Sequence, residues 1–162
     1  MINLYTKDGW LDTTSILAAG YPFTFIIGAR GIGKTYGILL DIVRDKIPHI
    51  LMRRTQVETE IISKQEFLPY KPVCDALGVD VTSASVVKNV AGVFDLADPE
   101  KPFGYIAPLS TFANLRGFDM SVVELIYLDE FIPEVERRPI KAEFETFLNA
   151  YETVNRNREL AG

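Results

Sequence analysis

Four fixed positions within eight residues carry the first chemical signal. Gly28-Ala29-Arg30-Gly31-Ile32-Gly33-Lys34-Thr35 matches G-x-x-x-x-G-K-[ST] without a mismatch. The glycines let the backbone wrap an anion with its N–H groups pointing inward. A helix beginning near Gly33 would place its positive end on that anion. Lys34 supplies a flexible cation for the β- and γ-phosphates, and Thr35 a hydroxyl ligand for Mg²⁺. The loop follows an apolar run and opens a helical pattern, the context that separates a nucleotide site from a chance glycine loop. ATP and Mg²⁺ are the expected ligands, with residues 28–35 around the phosphates.

A second signal lies far downstream. Val122 to Leu128 is apolar apart from Glu124 and ends in Asp129-Glu130. Taken alone, this is better read as a strand leaving into a solvated acidic turn. Paired with the glycine loop, Asp129 would join Thr35 in holding Mg²⁺, directly or through water, and Glu130 would orient or deprotonate the attacking water. A nucleotide kinase transfers to a substrate hydroxyl and needs no such acid, so the pair points to hydrolysis coupled to work. A nucleotide-binding assembly or regulatory module without efficient turnover is the alternative.

Hydrolysis of this kind calls for positive charge on the γ-phosphate. Arg30 lies inside the loop and must sit near the nucleotide or across its cleft. Arg53 and Arg54 end a strand, where ligands sit in open α/β sheets; they line the base or ribose, or simply leave the strand into solvent. Arg116 precedes the acidic strand and by itself reads as a surface arginine. Arg156 and Arg158 end the last helix, where they would complement its negative terminus.

These residues need a sheet to hold them. Phe23 to Ile27 reads as a buried strand and Gly33 to Lys46 as a helix with Tyr36, Leu39, Leu40 and Val43 on one face. His49 to Met52 is a second strand. Val57 to Leu77 is mostly helical, broken near Pro69 and Pro72. This alternation predicts a mostly parallel sheet with flanking helices. Residues 79–110 are rich in valine with Ser, Asn and Gly between, which predicts a β-hairpin insertion on one edge. Ile140, Phe144, Phe147, Leu148 and Tyr151 mark one face of a helix from about Pro139 to Asn155. Trp10 and Leu11 should pack a lead-in onto the body. Cys74 reads as core, and His49, the only histidine, as no metal ligand. Glu58, Glu60, Glu143 and Glu145 read as solvated helix faces.

Composition bounds the rest. The chain has 162 residues, 48% apolar and 24% charged, about one domain's worth. A single cysteine excludes an internal disulfide. The N-terminal residues lack a signal peptide's pattern, and no run approaches the roughly 20 apolar residues of a membrane span. Seventeen basic against 22 acidic residues, net −5, exclude a protein that coats nucleic acid by bulk charge.

Together, Phe25-Ile26-Ile27 with the glycine loop, Leu51-Met52-Arg53-Arg54, Ala107-Pro108-Leu109-Ser110, Leu128-Asp129-Glu130-Phe131-Ile132 and Thr153 to Glu159 resemble the DNA-packaging motor ATPase of the small protein-primed podophages, a family related to the large terminase subunits. The resemblance runs in order over 23–159. It implies a P-loop NTPase of the additional-strand, catalytic-glutamate class. It implies a ring of five subunits on the portal of a viral prohead in the host cytoplasm, driving double-stranded DNA inward by ATP hydrolysis, with a structural packaging RNA in the nearest relatives. Carried over by position, Arg30 corresponds to the loop arginine of terminases and Arg156 to the arginine finger acting on a neighbouring subunit. Arg116 falls where the family has a lysine proposed to act in trans. Family chains are about twice this length, so 1–162 is expected to be one ATPase domain without the nuclease-like domain that follows. The class also places one further strand between the glycine-loop strand and the acidic strand, expected from a segment after residue 162.

Overall fold

The computed structural model describes residues 4–115, 120–132, 140 and 142–155. In chain order they form α1 (Thr13–Ala18), α2 (Lys34–Asp45), β1 (His49–Arg53), α3 (Gln56–Ile62), α4 (Lys71–Leu77), β2 (Val81–Val87), β3 (Val90–Asp95), β4 (Gly104–Pro108), β5 (Leu125–Leu128) and α5 (Glu143–Asn155). Among the described residues no helix is long and apolar enough to cross a membrane.

One five-stranded sheet has the order β2-β3-β4-β1-β5. β1 is parallel to both β4 and β5, whereas β2, β3 and β4 are antiparallel. The sheet is therefore mixed rather than mostly parallel. The stretch expected as an edge insertion is part of the sheet, and β4 is its middle strand. Connection length explains the division. Only Lys88 and Asn89 separate β2 from β3, with Asn89 left-handed (φ 67°), and so short a link permits only an antiparallel pair.

Strand alternation then sorts side chains onto two faces. Leu51 and Ile106 join Ile38, Leu39, Ile42, Tyr70 and Val73 in a core beneath α2 and α4. Ile50, Met52 and Ala107 join Ala150 and Val154 of α5 on the other face. The buried face of α2 centres on Ile38, Leu39, Ile42 and Val43, while Tyr36, expected inside, is 44% exposed. On α5 the buried residues are Ala150 and Val154, and Phe144 is exposed. The expected start of that helix, Pro139, lies outside the described residues. Leu11 is buried as expected but Trp10 is exposed. The helical stretch is interrupted between Ile62 and Lys71, around Pro69, and Pro72 lies in the first turn of α4, where its missing N–H costs nothing.

The largest departure is the segment before the glycine loop. Among the described residues Phe23 to Ile27 enters none of the sheet pairings, and Phe25 and Ile27 are exposed. A strand exists only where a neighbouring edge accepts its hydrogen bonds, and apolar character alone cannot supply that edge. β5 gives one edge to β1 and forms the end of the sheet. Phe23 packs on Phe147 and Tyr151 of α5, with ring centroids 6.4 and 4.8 Å apart, and Phe25 on Phe131 at 6.0 Å. These contacts hold the segment across a groove of about 1330 Å³ from β5.

Candidate functional site

The glycine loop turns sharply into α2. Gly31 and Gly33 have φ of 83° and 88°, in the left-handed region that side chains rarely adopt, and Gly33 is the last residue before the helix. The first N–H groups of α2 therefore belong to Lys34 and Thr35 and their neighbours. Lys34 Nζ donates to the carbonyls of Gly28 (2.9 Å) and Ala29 (2.6 Å), so the lysine is folded back on its own loop. Arg30 lines the groove beside it.

The parallel pairing of β1 and β5 brings their C-terminal ends together. Leu51 faces Tyr127 and Met52 faces Leu128, so Arg53 falls beside Asp129 on the α2 side of the sheet. Asp129 is the point of convergence. Its Oδ1 accepts from Thr35 Oγ1 (3.2 Å), Tyr127 OH (2.9 Å) and the Glu130 N–H (3.1 Å), and Oδ2 pairs with Arg53 Nη2 (3.0 Å). Burial and the charge on Asp129 push the Tyr127 phenol above its ordinary pKa, so it is protonated and donates. Arg53 Nη1 also holds Glu130 Oε2 at 2.5 Å, and Arg53 Nε is buried with no hydrogen-bond partner among the described residues. Glu130 itself has φ 56°, an uncommon conformation for a glutamate, and its side chain is 69% exposed.

Arg54 projects to the opposite face. It grips Glu143 through Nε (2.5 Å) and Nη2 (2.8 Å), which ties the start of α5 to the end of β1. This pairing holds the Glu143 carboxyl below its usual range and the Arg54 guanidinium above its own. Glu143 is thus a structural partner rather than a solvated helix residue. Glu58 likewise belongs to a capping box with Thr55 at the start of α3. His49 is fully buried, between the Ile47 carbonyl and the Tyr70 hydroxyl.

Thr35 and Asp129, expected as metal ligands, are therefore brought together across 94 residues. The donor set fits Mg²⁺. Both are hard oxygen ligands, and adjacent ligands of an octahedral ion bound at 2.0–2.1 Å stand about 2.9 Å apart. Among the described residues no cluster of three or more His, Cys, Asp or Glu could hold a metal alone. A carboxylate and a hydroxyl with nucleotide phosphates is the usual Mg²⁺ arrangement. Arg116, Arg156 and Arg158 lie outside the described residues. Sequence reasoning missed Tyr127 and the Arg53 clamp. Both follow from strand position: Tyr127 stands two residues before Asp129 and so shares its face, and Arg53 ends the neighbouring parallel strand.

Comparison with known protein families decides the lineage: the family model of the podovirus DNA encapsidation protein (Gp16) matches residues 6–162. The chain belongs to the podovirus DNA encapsidation protein family. Among solved structures, the N-terminal domain of the DNA packaging ATPase from bacteriophage phi29 superposes with a TM-score of 0.71 at 25% identity, covering 93% of this chain and 74% of that one. A chain of the bacteriophage Phi-29 viral genome packaging motor assembly superposes with a TM-score of 0.67 at 24% identity. There 93% of this chain covers 44% of the other, so the encapsidation-family chain described here spans under half of that motor protein. A search of curated proteins finds no match. Family and structural neighbours together indicate a phage DNA packaging protein.

Proposed function

We propose that this chain is the ATP-hydrolysing part of a motor that drives double-stranded DNA into a viral prohead. One observation carries the reading: Thr35, at the end of the glycine loop, and Asp129, at the end of β5, meet at 3.2 Å beside the start of α2. Loop N–H groups and Lys34 would bind the β- and γ-phosphates, Lys34 exchanging its two loop carbonyls for phosphate oxygens. Bound through Thr35 and Asp129, Mg²⁺ would neutralise charge building on the phosphates. Glu130 would take a proton from the attacking water once Arg53 releases it, and Arg30 reaches the same groove.

Among the described residues no strand pairs with the outer edge of β5 or with Phe23–Ile27 across the groove, which supports membership of the class with an additional strand between them. By family resemblance Arg156 acts on a neighbouring subunit's site, with Arg116 as a second cation there. The ring of five, the portal, the packaging RNA and transient residence on the prohead in the host cytoplasm belong to the same reading. Binding without efficient turnover is favoured by one observation, the engagement of Glu130 by Arg53. Glu130→Gln separates the two. In a motor, DNA-stimulated ATP hydrolysis falls by roughly 10²–10⁴ while Mg·ATP affinity is kept. Equal steady-state hydrolysis by the glutamine variant would remove Glu130 from the chemistry.

A further inference from the structure

Tyr127 takes no part in the reading above, yet its hydroxyl stands where Thr35 and Asp129 meet. The three oxygens form a nearly equilateral triangle: Tyr127 OH to Asp129 Oδ1 is 2.9 Å, Thr35 Oγ1 to Asp129 Oδ1 is 3.2 Å, and Tyr127 OH to Thr35 Oγ1 is 3.3 Å. The hydrogen inventory fixes who donates. An ionised carboxylate only accepts, and each hydroxyl has one proton. Tyr127 and Thr35 both spend theirs on Asp129 Oδ1 at these distances. The Thr35 oxygen then keeps its lone pairs for a cation. The Glu130 N–H and Arg53 hold the carboxylate from two further directions.

The tyrosine is well built for holding the group still. Its ring packs against the core under α2, and its backbone lies in β5, opposite Leu51 of β1. A donor mounted on a strand and packed against the core keeps its direction better than one on a loop. Thr35 comes from α2 and Asp129 from the strand exit, so Tyr127 is the side chain that touches both.

We infer that Tyr127 is a positioning residue for the divalent cation: its hydroxyl pins the Asp129 carboxylate against Thr35, so that both oxygen donors are gathered before the cation arrives. The inference rests on the Mg·nucleotide reading of the site. Groups that orient a metal ligand without touching the metal typically contribute 10–100-fold in metal affinity.

The test uses Mn²⁺ as the probe and ADP as the nucleotide. Free Mn²⁺ is read by electron paramagnetic resonance in the presence of saturating ADP, and ADP affinity is measured separately in EDTA. Tyr127→Phe keeps the ring and drops the hydroxyl. It should weaken Mn²⁺ binding to the ADP-loaded protein by about 10–100-fold and leave ADP affinity in EDTA unchanged. Tyr127→Leu, which also lacks the hydroxyl, serves if the phenylalanine variant does not fold, with the same expectation. A tyrosine that merely fills the core would change the urea midpoint without changing Mn²⁺ affinity, and that result overturns the inference. An equal loss of ADP affinity with and without metal overturns it as well. If the wild-type protein binds no ADP, or binds Mn²⁺ no better with ADP than without, the nucleotide reading itself fails and this inference falls with it. Wild-type coupling with an unaltered variant removes only Tyr127.

Discussion

The Arg54–Glu143 pair offers a test with a definite sign. Arg54 is 4% exposed at its side chain and Glu143 21% exposed, and two hydrogen bonds of 2.5 and 2.8 Å join them. Removing one member of a buried pair strands the other, at a cost of about 3–5 kcal/mol when both are fully buried. The exposure is unequal, so the two single changes should differ. Glu143→Met leaves a buried guanidinium with no anion and should cost about 3 kcal/mol. Arg54→Met leaves a carboxylate that can turn to water and should cost about 1–2 kcal/mol. The double change leaves no orphaned charge, so Arg54→Met/Glu143→Met should be more stable than Glu143→Met alone. Urea unfolding followed by circular dichroism measures all four proteins. The pH dependence has a fixed sign too. The Glu143 carboxyl lies below its usual 4.5 when folded, so the pair's contribution is complete above about 4.5 and is lost as pH falls through the folded value. A double mutant as unstable as the sum of the singles would refute the claim that the two side chains stabilise each other.

Two further outcomes follow from buried polar groups and caps. Burial holds His49 at a pKa of about 4 against 6.5 unfolded, so its contribution is full above pH 6.5 and declines towards pH 4, by up to about 3 kcal/mol; a pH series of urea midpoints should show this loss. Thr55→Ala removes the hydroxyl that accepts from the Glu58 N–H in the capping box at α3, leaving the backbone half, and should cost about 0.5–2 kcal/mol in the same assay.

The candidate site's pattern was legible in the sequence where spacing is local. Residues 28–35 carry their pattern within eight positions, Asp129-Glu130 gains a chemical meaning only beside that loop, and β1 read to within one residue from His49 and three apolar residues before two arginines. What stayed hidden depends on pairing. Nothing local says that Tyr127 reaches Thr35 or that Arg53 holds Glu130; both need the register of β1 against β5. Phe23–Ile27 failed as a strand for a related reason, since five apolar residues show strand potential but not which edge is available. The sheet read as mostly parallel because helices alternate with strands through Leu77, whereas β2 to β4 add antiparallel pairs through short links. The faces of α2 and α5 were misplaced by large aromatic residues, Tyr36 and Phe144, that lie exposed although their spacing suits a buried stripe.

The central claim is that the glycine loop and the Thr35–Asp129 meeting point form one Mg·ATP site. Calorimetric titration of ATP with and without Mg²⁺, into the wild-type protein and Lys34→Ala, tests it most directly. Among the described residues Lys34 Nζ bonds only to loop carbonyls, so the variant should fold as the wild type does by circular dichroism. The account predicts that wild-type affinity rises with Mg²⁺ and that Lys34→Ala loses ATP binding while keeping its fold. Equal ATP affinity in the two proteins, or a wild-type affinity indifferent to Mg²⁺, would contradict it.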